Sequence, residues 1–137
     1  MATSGRAGIG LVPVCFVLLG GTIYQAIDAK PKGDARKLTR LKNIHDNPTA
    51  AFLVDHYQED WRRLWYVLVR GTARILESPD PEHRRAITAL RRKYRQYREE
   101  LPLAADAVVI AIDVAGLSHW QASSAARRSS NRRGSRA

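Results

Sequence analysis

The chain has 137 residues, 45% of them hydrophobic, which suits one domain with a single core and is too little for two. Its 23 Lys and Arg against 13 Asp and Glu give a net charge of +10, which calls for an anionic partner: a phosphorylated cofactor, nucleic acid or a membrane surface. The single cysteine, Cys15, excludes an internal disulfide framework and a multi-cysteine metal site.

The charge is unevenly spread. Five arginines (Arg127, Arg128, Arg132, Arg133 and Arg136) crowd the last eleven residues, "RRSSNRRGSRA", so half of the net charge belongs to a tail. At the other end, "IGLVPVCFVLL" is apolar but too short to cross a bilayer, and Gly20-Gly21 ends it. It reads as a core strand of a cytoplasmic protein, with Cys15 a buried, inert thiol.

In chain order, "LVPVCFVLL", Gly20-Gly21 and "TIYQAID" predict a β-hairpin closed by a two-residue turn. Pro13 has no N–H to donate, which places its part of the strand at an edge or a bulge. Leu38, Leu41 and His45 fall at helical spacing and predict a helix over 34–46, with Asp34 as N-cap and Asn47-Pro48 as the stop. "TAAFLVD" is a short buried strand, and "HYQEDWRR" a polar, aromatic loop. "LWYVLVRGTARIL" is a long strand bent at Gly71, apolar on both faces, and therefore covered on both sides. Asp80 and Pro81 open a second helix, along which Ile87, Leu90, Tyr94 and Tyr97 form one apolar stripe. "AVVIAIDV" is the last strand, and residues 121–137 have the composition of a disordered tail. Five strands and two helices without a βαβ pattern predict a mostly β, α+β rolled sheet or barrel.

Few residues point to chemistry. His45, His56, His83 and His119 share no ligand spacing, the carboxylates of Asp55–Asp60 are too irregular for a calcium loop, and no metal is expected. One group stands out: Lys30, Lys32, Arg36, Lys37, Arg40 and Lys42 lie within thirteen residues at a strand end and helix start. Such a place gathers cations and free N–H groups around a phosphate. A solvated basic face is the competing explanation. The second helix mixes arginine with Tyr94 and Tyr97, but those rings belong to the inward stripe, so nucleic acid is not the expected partner.

The succession "LVPVCF", "TIYQAIDAKPK" and "RLKNIHDNPTAAFLVDHYQEDWRRLWYVLVRGTARIL" resembles the pyridoxamine 5′-phosphate oxidase-like family over residues 1–120. More narrowly, it is similar to the branch of coenzyme F420-dependent oxidoreductases. The resemblance implies a six-stranded split β-barrel of the FMN-binding type that dimerises, with cofactor sites in the grooves between subunits. It implies an enzyme passing a hydride between F420, or FMN as the alternative, and a small organic substrate. A non-catalytic cofactor-binding protein is the rival. By the same resemblance Lys30, Lys32, Lys37 and Arg40, with Arg36, hold the cofactor phosphate. F420 also carries an acidic oligoglutamate tail, which a broad basic groove suits. Val12, Pro13, Val14 and Cys15 match the backbone along the ring, and Asp55, His56 and Trp65 match the ring edge or substrate pocket. No catalytic residue is singled out. The family's N-terminal helix and most of its first strand precede "LVPV" and have no counterpart here, so an N-terminally shortened member with an incomplete first strand is expected.

Overall fold

The structure is a computed structural model, and it describes residues 1–28 and 38–122. Seven strands form one antiparallel sheet: β1 (Ala2–Gly5), β2 (Gly8–Leu11), β3 (Val17–Leu19), β4 (Thr22–Ala26), β5 (Thr49–His56), β6 (Trp65–Leu76) and β7 (Val109–Gln121). They lie in the order β2-β1-β5-β6-β7-β4-β3. Helices α1 (Thr39–Asp46), α2 (Pro81–Lys93) and α3 (Gln96–Glu99) connect them, with a 3₁₀ turn at Trp61–Arg63.

The order forces the sheet to roll. Its two outer strands, β2 and β3, are joined by residues 12–16 alone. Six chain steps from Leu11 to Val17 reach about 20 Å, whereas seven flat strands put their outer members about 29 Å apart. A flat sheet cannot satisfy that link, and a barrel can. The inward face confirms the roll, because Ile23, Phe52, Val69, Ala73, Ile110 and Ile112 from β4 to β7 share one buried cluster with Leu41 and Ile44 of α1. Helix α1 therefore packs into the barrel. A second cluster on the outer face joins Tyr24, Leu76, Val109 and Ala111 to Ala86, Ile87 and Leu90 of α2. Each of these large side chains contributes about 1.5–3 kcal/mol by leaving water.

Several expected elements take their expected form. Leu19 pairs with Thr22 across Gly20-Gly21, and Gly20 has a φ of 58°, the left-handed value that a Gly-led hairpin turn needs. Asp80 accepts from the Glu82 and His83 N–H groups with Pro81 opening α2. The ladder of β6 and β7 shifts register between Arg70 and Gly71, where a bend was expected.

Four differences have physical causes. "LVPVCFVLL" is not one strand: β2 ends at Leu11, β3 begins at Val17, and the segment holding Pro13 crosses between the sheet's edges as a strap. The first helix begins at Thr39, because Leu38 is extended (φ −61°, ψ 135°) and packs against the barrel core; the expected N-cap Asp34 lies outside the described residues. The N-terminal stretch forms a hairpin, β1 with β2, and Ala2 and Thr3 pair with Ala51 and Ala50 of β5. Fully buried Asn43 of α1 pins it, its Nδ2 donating to Gly8 O at 2.8 Å and Thr3 Oγ1 at 3.3 Å. Finally, the last strand runs on to Gln121, through residues 115–120, to which no element was assigned, and into the first residue of the expected tail; residues 123–137 lie outside the described chain. Among the described residues the strand count is thus seven rather than five or six, while the rolled, mostly β architecture is as expected.

A polar network ties α2 to the barrel. Arg74 donates to Asp113 Oδ2 at 2.6 Å and to Glu82 Oε1 at 2.9 Å, and Tyr24 Oη donates to Glu82 Oε1 at 2.7 Å. Hydrogen bonding from Arg74 holds both carboxyls below their ordinary range, with Tyr24 adding to the effect at Glu82. A carboxylate with a depressed folded pKa stabilises above its unfolded value and loses that contribution as pH falls through the folded one. The melting temperature is therefore expected to be flat above about pH 5 and to fall below about pH 4. Arg74→Ala should flatten that acid limb while lowering stability near neutrality. An unchanged limb in the variant would remove the network as its cause.

Candidate functional site

The strap is the first wall of the site. Val12, Val14 and Phe16 pack against the barrel core, Pro13 is exposed, and half-buried Cys15 faces the α2–α3 cluster. Its start is fixed by Val12 N–H donating to Met1 O at 3.0 Å. Its end is clamped from the helices: Phe16 N–H donates to Tyr94 Oη at 3.0 Å, Tyr94 Oη donates to Phe16 O at 2.9 Å, and Lys93 Nζ donates to the same carbonyl at 2.7 Å. The Phe16 ring meets Phe52 edge-on at 4.8 Å inside the barrel. A segment without ladder bonds is thus held by side chains at one end and by backbone at the other.

Of the basic stretch, Lys30, Lys32, Arg36 and Lys37 lie outside the described residues. Arg40 is described, and its setting is unusual. It sits in the first turn of α1, is only 8% exposed, and its Nε has no hydrogen-bond partner among the described residues. Burial pushes its pKa down, and the charge of Asp28 opposes that effect. A buried guanidinium N–H without a partner is costly unless an acceptor reaches it.

Asp28 lies two residues past the end of β4 and accepts from Tyr97 Oη at 3.2 Å. Tyr97 is 4% exposed and packs edge-on against Tyr94 at 5.6 Å. Burial, then Cys15 and Asp28, hold the phenol well above its ordinary pKa, so it stays a donor. The Tyr97 hydroxyl is thus tied to Asp28, whose charge acts on Arg40. Sequence reading missed Asp28 and the two tyrosine hydroxyls. The helical stripe that placed the rings inside gave the signal, since a buried phenol needs a polar partner.

The third group lies on the free ends of β5, β6 and β7. Past Val114, β7 has no β4 neighbour, and residues 115–121 are all exposed on an arm made with β6. His56 and Trp65 are opposite one another in the ladder, and their rings stack at 6.0 Å and 14° on the barrel's inner side. Asp55 points the other way, opposite Tyr66. The structure thus brings His56 and Trp65 together and separates Asp55 from them. The outer side carries Leu53 (53% exposed), Tyr66 and Trp120, the last two stacked at 5.9 Å.

A groove of about 700 Å³ lies elsewhere, between α1 and the barrel end, with Arg6, Leu41, Lys42, His45, Ile75 and Val108 in its walls. Among the described residues it takes in none of the predicted site residues. No cluster of three or more His, Cys, Asp or Glu could hold a metal among them, and no helix among them is long and apolar enough to cross a membrane.

The fold is shared with solved structures at low sequence identity. The heme storage protein HutZ of Vibrio cholerae superposes with a TM-score of 0.67 at 13% identity, covering 85% of this chain and 81% of that one. A FAD-binding protein of Mesorhizobium loti gives 0.64 at 17%, covering 86% and 80%. A conserved hypothetical protein of Mycobacterium tuberculosis gives 0.64 at 18%, covering 88% and 74%. A search of curated proteins found no match. The sequence profile described as "Pyridoxamine 5'-phosphate oxidase" matches residues 1–120, a span that takes in the barrel, the strap, Arg40 and nearly all of the arm. With that match added to the rolled sheet, the chain belongs to the pyridoxamine 5′-phosphate oxidase-like family.

Proposed function

We propose that the protein is a coenzyme F420-dependent oxidoreductase, acting in the cytoplasm as a homodimer on a small organic substrate. The observation that carries this reading is Arg40, a buried guanidinium whose Nε has no partner among the described residues, beside a stretch holding five further cations between Lys30 and Lys42. An anionic group fits there, a phosphate or a carboxylate by guanidinium geometry, and the family's phosphorylated cofactors favour phosphate. The breadth of the basic stretch favours F420, whose acidic tail extends past the phosphate, over FMN. When bound, the deazaflavin supplies the hydride chemistry. The chain's part is to hold and orient it: Arg40 meets the phosphate, the strap lies along the ring, and Trp65 with His56 bounds the ring's edge.

The outer face of the arm supports the dimer. Leu53, Leu68, Tyr66 and Trp120 share it, and stacked aromatics exposed together on a sheet face mark an interface. A second copy of the chain is the occupant we assign. Leu53→Glu combined with Trp120→Glu is expected to convert a dimer to a monomer in sedimentation velocity. A wild-type monomer, or a dimer indifferent to the change, contradicts the assignment.

The catalytic claim has its own test. Reduced F420 is mixed with the protein and a panel of enones, quinones and nitro compounds, and the return of the oxidised deazaflavin absorbance is followed. Protein-dependent turnover supports the oxidoreductase. Binding of F420 without turnover of any acceptor favours the rival, a cofactor-binding protein without catalysis.

A further inference from the structure

Between its two fixed ends the strap is bare. Val12 N–H donates to Met1 O, and Val12 O accepts from the Met1 ammonium at 2.9 Å. Phe16 is bonded to the helices through both of its backbone polar groups. Among the described residues, Pro13, Val14 and Cys15 between them make no backbone hydrogen bond, and no strand pairs with this stretch. Val14 and Cys15 thus offer consecutive N–H donors beside the carbonyls of Pro13, Val14 and Cys15. Half-buried backbone groups of that kind are seldom left unpaired. A heterocycle whose edge alternates carbonyls and ring nitrogens, as in F420 and FMN, can satisfy them as a neighbouring strand would.

The far end is held by one hydroxyl. Tyr94 Oη accepts from Phe16 N–H at 3.0 Å and donates to Phe16 O at 2.9 Å. Lys93 Nζ donates to the same carbonyl at 2.7 Å and stands 4.1 Å from the centroid of the Phe16 ring. Lys93 ends α2 and Tyr94 is its C-cap, so the helix end clamps the strap just before β3 begins at Val17. Packing alone does not call for that hydroxyl. The Tyr94 ring meets Tyr97 edge-on in the outer cluster, where a phenylalanine would pack as well.

We infer that Tyr94, assisted by Lys93, is a positioning residue for the cofactor ring: its hydroxyl fixes the Phe16 peptide groups and so sets the unpaired amides of Val14 and Cys15 against the ring's edge. This role rests on the cofactor reading above. Tyr94→Phe keeps the ring contacts, leaves Phe16 N–H without its acceptor and leaves Phe16 O to Lys93 alone. The strap's end then loses its fixed place, and every ligand that carries the ring is affected, with or without a phosphate.

The test uses the full chain, with F420, FMN and riboflavin titrated by fluorescence. The absorption spectrum and midpoint potential are then recorded at saturation for each cofactor that the wild type binds. Y94F is expected to weaken FMN and riboflavin by the same factor, on the order of tenfold. It should also move the spectrum and potential of the saturated complex, because hydrogen bonds to the ring set both. A tyrosine needed only for the fold lowers the melting temperature but leaves the saturated complex with wild-type spectrum and potential. That result overturns the inference, and so does a loss confined to FMN, which places the effect at the phosphate. Wild type that binds none of the three overturns the cofactor reading and this inference with it. Wild type that binds, with Y94F binding equally and with the same spectrum, overturns the inference alone. If Y94F melts below the assay temperature, K93M decides, since it removes one donor from Phe16 O and keeps Tyr94. A shifted spectrum and potential then support the clamp, and wild-type values contradict it.

Discussion

Gly71→Val is expected to unfold the barrel, or to lower its melting temperature by roughly 10 °C or more, while Gly116→Ala changes little. A Cβ at Gly71 would stand 2.2 Å from Asp113 O and 2.9 Å from Ile112 Cγ2, and the first of these is backbone that cannot rotate away. Gly116 has nothing within 4 Å of the same position. Both glycines flank the register shift where the β6–β7 ladder leaves the barrel and becomes the arm. The missing side chain at Gly71 lets the two strands approach as the sheet bends, so the change costs at least the upper end of the ~1–3 kcal/mol typical of overpacking. Thermal melts of the two variants check the contrast, and a Gly71→Val protein as stable as wild type would refute the close approach.

Arg40→Met is expected to weaken F420 and FMN binding on the order of 10- to 100-fold, the range set by hydrogen bonds to charged groups. Methionine retains an unbranched apolar stem, so packing around α1 persists. The stability change separates the two roles open to this residue. An arginine kept for the fold lowers the melting temperature when lost. One kept for a ligand leaves an unsatisfied buried Nε in the free protein, and its removal leaves stability equal or higher. Melting curves without ligand, set beside fluorescence titrations, read both quantities. Unchanged affinity, or a drop in stability with affinity intact, refutes the phosphate assignment.

Local signals carried much of the fold. Gly20-Gly21, Asp80-Pro81 and the bend at Gly71 are decided by residues a few positions apart, and each stands where its turn, cap or register shift requires. What the sequence hid depends on distant partners. "LVPVCFVLL" is uniformly apolar, so only the need to join two sheet edges reveals that its middle is a strap. "TSGRAGIGL" has weak strand propensity, and its hairpin exists because β5 pairs with it and Asn43 holds it. Gly116, Ser118 and His119 look like loop residues, yet β6 pairs with that whole stretch.

The site divides along the same line. Arg40 was legible as a cation in a cationic run, whereas His56 and Trp65 entered only through the family resemblance. Their stacking follows from the β5–β6 register, which also turns Asp55 to the opposite face. The bond from Tyr97 to Asp28 spans 69 positions, and no spacing rule reaches that far. Only the demand that a buried hydroxyl find a partner hints at it.

The most direct measurement of the central claim is a parallel titration of the purified chain with F420, FMN, riboflavin and haemin. A protein built around a phosphate-holding Arg40 should bind F420 most tightly and FMN more weakly. Riboflavin should bind least among the flavin-type probes, with the affinity for F420 falling as salt rises. Haemin binding without affinity for F420 or FMN, or riboflavin binding as tightly as FMN, would contradict it.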